Sequence, residues 1–181
     1  NTTVSTNSQT NGQVANGQTT AAPAATNAGA AAPATGGVTP AQIRAMIDRD
    51  GASQTVQALD KDEGAVTFDM VLDGIASGRD EWLALVPLLA GAVDGGTGTG
   101  LEIAVAEALP RNAAGVLRLI GNGRTAAETC GYPMIEATTT ESSTYFSAAL
   151  PAVEAVNDPA LQAAKTSCLS ELRKAQSSAA G

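Results

Sequence analysis

The side chains that could do chemistry are few, and the two cysteines come first. Cys130 and Cys168 lie 38 positions apart and the chain has no others. Neither belongs to a CxxC pair and the chain contains no histidine, so nothing in the sequence lowers a thiol pKa toward reactivity. An even pair without metal-ligand spacing predicts one structural disulfide, tying a short helix to the last one. Closing a loop of that size is worth about 3 to 4 kcal/mol in the chain-entropy picture. The missing histidine also removes the commonest general base and the commonest metal ligand, excluding Ser-His and Cys-His nucleophile systems and histidine-based zinc sites. Carboxylate chemistry remains. Glu102 and Glu107 are five positions apart and do not share a helix face, so they read as a capping residue and a solvated one. Asp60, Asp62 and Glu63, with Asp69 and Asp73, could gather oxygen ligands for calcium. However, Gly64 comes one place early for an EF-hand loop and no glutamate stands at the twelfth position, which leaves a solvated acidic turn. Arg111, Arg118 and Arg124 form the notable basic group, with Arg79 a neighbour under the repeat described below, and they read as surface charges. No catalytic, cofactor-binding or metal-ligating residue is assigned.

The segment Asp94-Gly95-Gly96-Thr97-Gly98-Thr99-Gly100 could cradle a phosphate, because backbone amides of a glycine-rich loop converge at a helix N-terminus. It resembles the GGGTGTG signature of the tubulin and FtsZ family over about seven residues, and a helix from Leu101 to Leu109 would follow it as in that family. The resemblance implies an αβ sandwich around the loop and a much longer nucleotide-binding domain. Here the preceding segment contains Pro87 and reads as helix, and the loop has no lysine for a P-loop. A connector between two helices is the favoured reading.

The elements that must position these residues are all helical. Thr39-Pro40-Ala41-Gln42 is a capping box with proline at the first helical position, and Ile43, Met46 and Ile47 form an apolar stripe that stops at Gly51. A second helix is expected from about Ser53 to Lys61 with Val56 and Leu59 inward, and a third from about Val66 to Ser77 with Phe68, Val71, Leu72 and Ile75 inward. The fourth, from about Asp80 to Val93, is apolar all round and should be central, with Pro87 kinking it or sitting near its start. Thr99 to Glu102 reads as a capping box for a helix to Leu109. Asn112 caps the next, with Val116, Leu117, Leu119 and Ile120 inward. Thr125 to Glu128 starts a brief helix reaching Cys130. Thr138 to Glu141 starts another through about Val156, with Pro151 inside, and Asp158-Pro159 starts the last, which carries Leu161, Cys168, Leu169 and Leu172. No sustained alternation of apolar and polar residues predicts strands.

The fold class is therefore all-α, about nine short helices. A shift of 34 residues pairs Val71 with Val105, Ile75 with Leu109, Trp82 with Val116, Leu83 with Leu117, Leu85 with Leu119 and Val86 with Ile120. That spacing fits stacked helix hairpins of the α-solenoid kind, and an irregular helical bundle is the alternative.

Composition divides the chain at residue 38. Residues 1–38 contain no charged or aromatic side chain, with Val4 and Val14 the large aliphatics before Val38 closes the segment. They predict a disordered low-complexity tail, while 39–181 form the helical domain. Ten basic against 18 acidic residues give a net charge of −8, which repels nucleic acid and anionic membranes and suits a basic protein partner. No apolar stretch approaches the roughly 20 residues of a membrane span. An Asn1 start, a polar Asn/Thr/Gln/Ala/Gly/Pro tail and a disulfide together predict an exported chain, in the bacterial periplasm or outside the cell, after signal-peptide removal. Asn1-Thr2-Thr3 matches a glycosylation sequon, and the tail threonines could carry O-linked sugars. The expected function is a non-catalytic protein-binding or scaffolding domain, with the tail a spacer or a contact to copies of the chain in an assembly. A carrier of a small apolar ligand held between helices is the alternative, and a carboxylate-dependent cell-wall hydrolase ranks behind both.

Overall fold

The computed structural model describes residues 37–61, 66–132 and 137–179. Within them the chain forms ten α-helices and no strand. They are α1 (Pro40–Asp50), α2 (Ala52–Asp60), α3 (Phe68–Ala76), α4 (Asp80–Leu83), α5 (Val86–Leu89), α6 (Gly95–Ala108), α7 (Ala113–Leu117), α8 (Ala126–Cys130), α9 (Thr139–Glu154) and α10 (Gln162–Ala179), with a 3-10 turn at Pro159–Leu161. The expected disordered tail and the sequon fall on residues 1–36, outside the described residues.

Local chemistry sets most helix starts. Thr39, Thr125 and Thr138 each accept from the backbone N–H three positions on, and Gln42, Glu128 and Glu141 reach back to the cap N–H. The Thr125 and Thr138 N–H and hydroxyl groups donate to Glu128 and Glu141, holding both carboxyls below their ordinary range. Asn112 Oδ1 accepts from Gly115 N–H at 2.9 Å to cap α7, and Asp158 caps the 3-10 turn. Val38, which composition places in the tail, is buried together with Ile43. These are the positions before the α1 cap and four residues into the helix, where an apolar pair fixes the entry angle of the chain.

Two helices differ from expectation. The apolar run from Asp80 to Val93 is not one kinked helix but two four-residue pieces. Pro87 has no N–H and would clash with the carbonyl of Leu83 in a continuous helix. It stands instead in the first turn of the second piece, near a helix start as the second alternative had it. The joint is closed by short-range bonds from Leu85 N–H to Trp82 O and from Leu88 N–H to Leu85 O, each 3.0 Å. The run is central as expected, with Trp82, Leu83, Leu85, Val86 and Leu89 all buried. The second difference lies at the glycine-rich segment, which is helical from Gly95.

Packing follows the 34-residue repeat. Helices α3 and α4 form one hairpin and α6 and α7 a second, with α3 against α6 and α4 against α7. Every residue paired by the repeat is buried except Ile120, which is half-buried. Within this helical bundle α1 and α2 pack together, with α2 reaching α3 and α5. Farther along the chain α8 and α9 both pack on α10, α8 also on α6, and α9 and α10 on α7. Cys130 at the end of α8 and Cys168 in α10 are bridged as predicted, with Cα atoms 5.4 Å apart and both residues buried. Beside the bridge, Tyr132, Tyr145 and Phe146 stack with ring centroids 4.8 to 5.4 Å apart. Burial pushes the Tyr145 hydroxyl well above the usual phenol range.

Candidate functional site

The glycine-rich segment is not a connector, because it is the first half of α6. The helix begins at Gly95 after Asp94, whose N–H donates to Thr97 Oγ1 at 3.0 Å, and Gly98 N–H already bonds the Asp94 carbonyl. Thr99, read as the cap, lies inside the helix and donates its hydroxyl to Gly95 O. At position 100 an added Cβ would sit 2.8 Å from Leu72 Cδ1, the end of a half-buried side chain with room to shift, so the bare backbone lets Leu72 lie over α6 without requiring glycine. Gly98 has no such role. Its added methyl would meet Val93 Cγ2 at 3.9 Å, an ordinary contact, and its φ lies outside the left-handed region. Gly98→Ala should therefore raise stability by about 0.5 to 1 kcal/mol in a urea melt, since alanine is the better helix former. A loss of stability would restore the reading of this segment as a backbone loop.

Among the described residues no group of three His, Cys, Asp or Glu side chains is placed to hold a metal. Asp62 and Glu63 of the proposed acidic turn lie in residues 62–65, outside the described residues. Glu102 and Glu107 sit apart as predicted, but Glu102 is not a cap: its Oε1 is 4.0 Å from Arg124 Nη2. Arg124 corrects the reading of the basic group as surface charge. Its side chain is only 6% exposed, its Nη2 donates to the carbonyl of Glu128 at the end of α8 at 2.7 Å, and its Nε has no partner. Charge alone predicts a surface position, whereas here the carbonyl of Glu128, within the short helix α8, accepts from a buried guanidinium. Arg118 and Arg79 are exposed, pairing with Asp80 and Glu81.

The joint between the hairpins is polar and specific. Arg111 Nη1 donates to Ala76 O at 2.7 Å and to Glu107 O at 2.8 Å. Asn112 Nδ2 donates to Gly78 O at 2.7 Å and to Asp80 Oδ1 at 2.8 Å. Both residues thus tie the end of α6 to the turn between α3 and α4. The capping role of Asn112 was readable from sequence; this second role was not.

Above that joint, α3 and α6 leave a groove between them. One section, about 400 Å³, is lined by Asp69, Leu72, Asp73 and Ala76 from α3 and by Gly100, Ile103, Ala104 and Glu107 from α6. It continues past Gly100 into a second section of about 350 Å³ that reaches Asp60 and Thr97. Asp69 and Asp73 stand one turn apart on α3, and the small residues of α6 keep the floor low. The sequence places the two aspartates with the calcium candidates. It gives one overlooked signal for their true setting, since the 34-residue shift maps Asp69 to Ile103 and Asp73 to Glu107, and both pairs line the groove. A hollow of about 520 Å³ beside Tyr132 and Ser142 also exists, but its Glu171 and Lys174 pair with each other and Tyr132 donates to Ser142.

No family model, curated protein or solved structure matches this chain.

Proposed function

We propose that this chain is a non-catalytic protein-binding or scaffolding domain that works outside the cytoplasm. The observation that carries the reading is the open groove along two stacked helix hairpins. Stacked hairpins bury their apolar faces against each other and leave a continuous surface whose residues are free to contact a partner. The chain's other polar groups support the reading by how they are used. The threonines and their Gln or Glu partners close helix ends, and Arg111 joins the end of α6 to the end of α3. Export is supported by a buried disulfide, which persists in oxidising compartments, and no helix among the described residues is long and apolar enough to cross a membrane.

The test uses the whole chain, oxidised, immobilised and exposed to the exported proteins of its source cell. The expected result is retention of a protein that rebinds in stoichiometric amount when both are purified. A chain that retains no protein, and instead releases lipid on extraction or cleaves cell-wall glycan, would overturn the reading.

A further inference from the structure

Resting on that binding reading, we propose that the groove between α3 and α6 receives a cationic segment of a partner protein, whose Lys or Arg side chains reach Asp69, Asp73 and Glu107.

The distribution of charge carries this proposal. All ten basic residues of the chain lie within the described residues, so their engagements can be followed one by one. Arg49, Arg79, Arg118, Arg124, Arg173 and Lys174 have carboxylate partners. Lys165 donates to the carbonyls of Glu154 and Val156, and Arg111 to those of Ala76 and Glu107. Arg44 and Lys61 are the other two, and among the described residues neither pairs with Asp69, Asp73 or Glu107. Asp69, Asp73 and Glu107 therefore line a groove without an ion pair from any basic side chain of their own protein, and Arg111, at one end, is occupied in holding the hairpins together. Three carboxylates facing a low floor of Leu72, Gly100 and Ala104 raise the local concentration of cations and favour a chain that adds small or aliphatic side chains between its charges.

The same bookkeeping of charge selects among occupants. The chain's own residues 1–38 have no Lys or Arg and cannot complement the groove. A second copy has only Arg44 and Lys61 beyond those eight, two cations on different helices, at the exposed face of α1 and just past α2, against three carboxylates. Nucleic acid and anionic lipid are repelled. A separate, basic polypeptide is what remains.

The experiment is an amide-shift titration of the full, isotope-labelled chain with an acetylated peptide of alternating Lys and Ala, about twelve residues long, matched by a Glu and Ala peptide. It is repeated on the variant Asp69→Asn, Asp73→Asn, Glu107→Gln. All three side chains are exposed or half-exposed, and a melting curve checks that the variant is folded. The expected result is shifts confined to α3 and α6, with affinity falling about tenfold in the variant and again when salt is raised from about 0.05 to 0.3 M. Shifts spread evenly over other acids such as Asp48, Glu154 and Asp158, or equal binding by the variant, would overturn the proposal. So would tighter binding of spermine or Ca²⁺ than of the peptide, since either marks a site for free cations. If the immobilised chain retains a partner equally well in wild type and variant, the groove assignment fails while the binding reading stands. If the wild type retains none, the binding reading itself fails.

Discussion

Replacing both bridged cysteines, Cys130→Ala with Cys168→Ala, lowers the free energy of unfolding by about 3 to 4 kcal/mol, read as a shift of the urea midpoint. The size follows from the 38-residue separation of the pair. Without the bridge the unfolded chain regains the freedom of that loop, and the native state keeps nearly all its contacts. Alanine is the right probe because both positions are fully buried and serine would bury two hydroxyl groups. For a small domain, a loss of this size is a large fraction of total stability. The reduced wild-type chain should show the same midpoint as the variant, and a variant as stable as the oxidised protein would show that the packing of α8 on α10 suffices alone.

Gly74→Ala destabilises the domain by about 1 to 3 kcal/mol or more, although helix propensity alone predicts a gain of about 1 kcal/mol. An added Cβ would lie 2.4 to 2.6 Å from three atoms of the Trp82 ring, which is 2% exposed and enclosed by the central helices. Trp82 Nε1 has no hydrogen-bond partner, so the ring is held by its shape. The cycle with Trp82→Leu isolates the clash. Trp82→Leu is harmful by itself, yet Gly74→Ala in that background should cost far less than in the wild type, with a coupling of about 1 kcal/mol or more. Strictly additive effects would mean that the ring moves aside freely. The opposite signs expected for Gly74→Ala and Gly98→Ala separate glycine chosen for closeness from glycine merely tolerated.

What was legible in the sequence was local. The threonine caps, the Asn112 and Asp158 caps, the all-helical class and the disulfide depend on groups a few residues apart or on a simple count of cysteines. The hairpin repeat was legible too, because the residues it pairs are apolar at fixed spacing and were buried together. Two failures are local, the break at Pro87 and the helix start at Asp94, and the others have a tertiary cause. Four glycines read as a loop although Asp94 and Thr97 close a helix start just before and among them. Arg124 reads as a surface charge until the end of α8 supplies its acceptor. Val38 reads as tail until its position before the α1 cap is seen to be buried with Ile43. The groove could not be read from either helix alone, since α3 supplies its carboxylates and α6 its small residues.

The bridge between α8 and α10 also fixes how the domain would respond to a pulling force. Tension applied along the chain passes through the sulfur atoms and bypasses the loop between them, so the 38-residue separation withholds about 130 Å of extension at roughly 3.3 to 3.6 Å per residue. The hairpins and the α1–α2 pair lie outside that loop and can unravel to full length, whereas α9 and the start of α10 lie within it. A protein tethered at one end and loaded at the other would thus lengthen only through the chain outside the loop, and the segment between the sulfurs would add nothing until a reductant reached them.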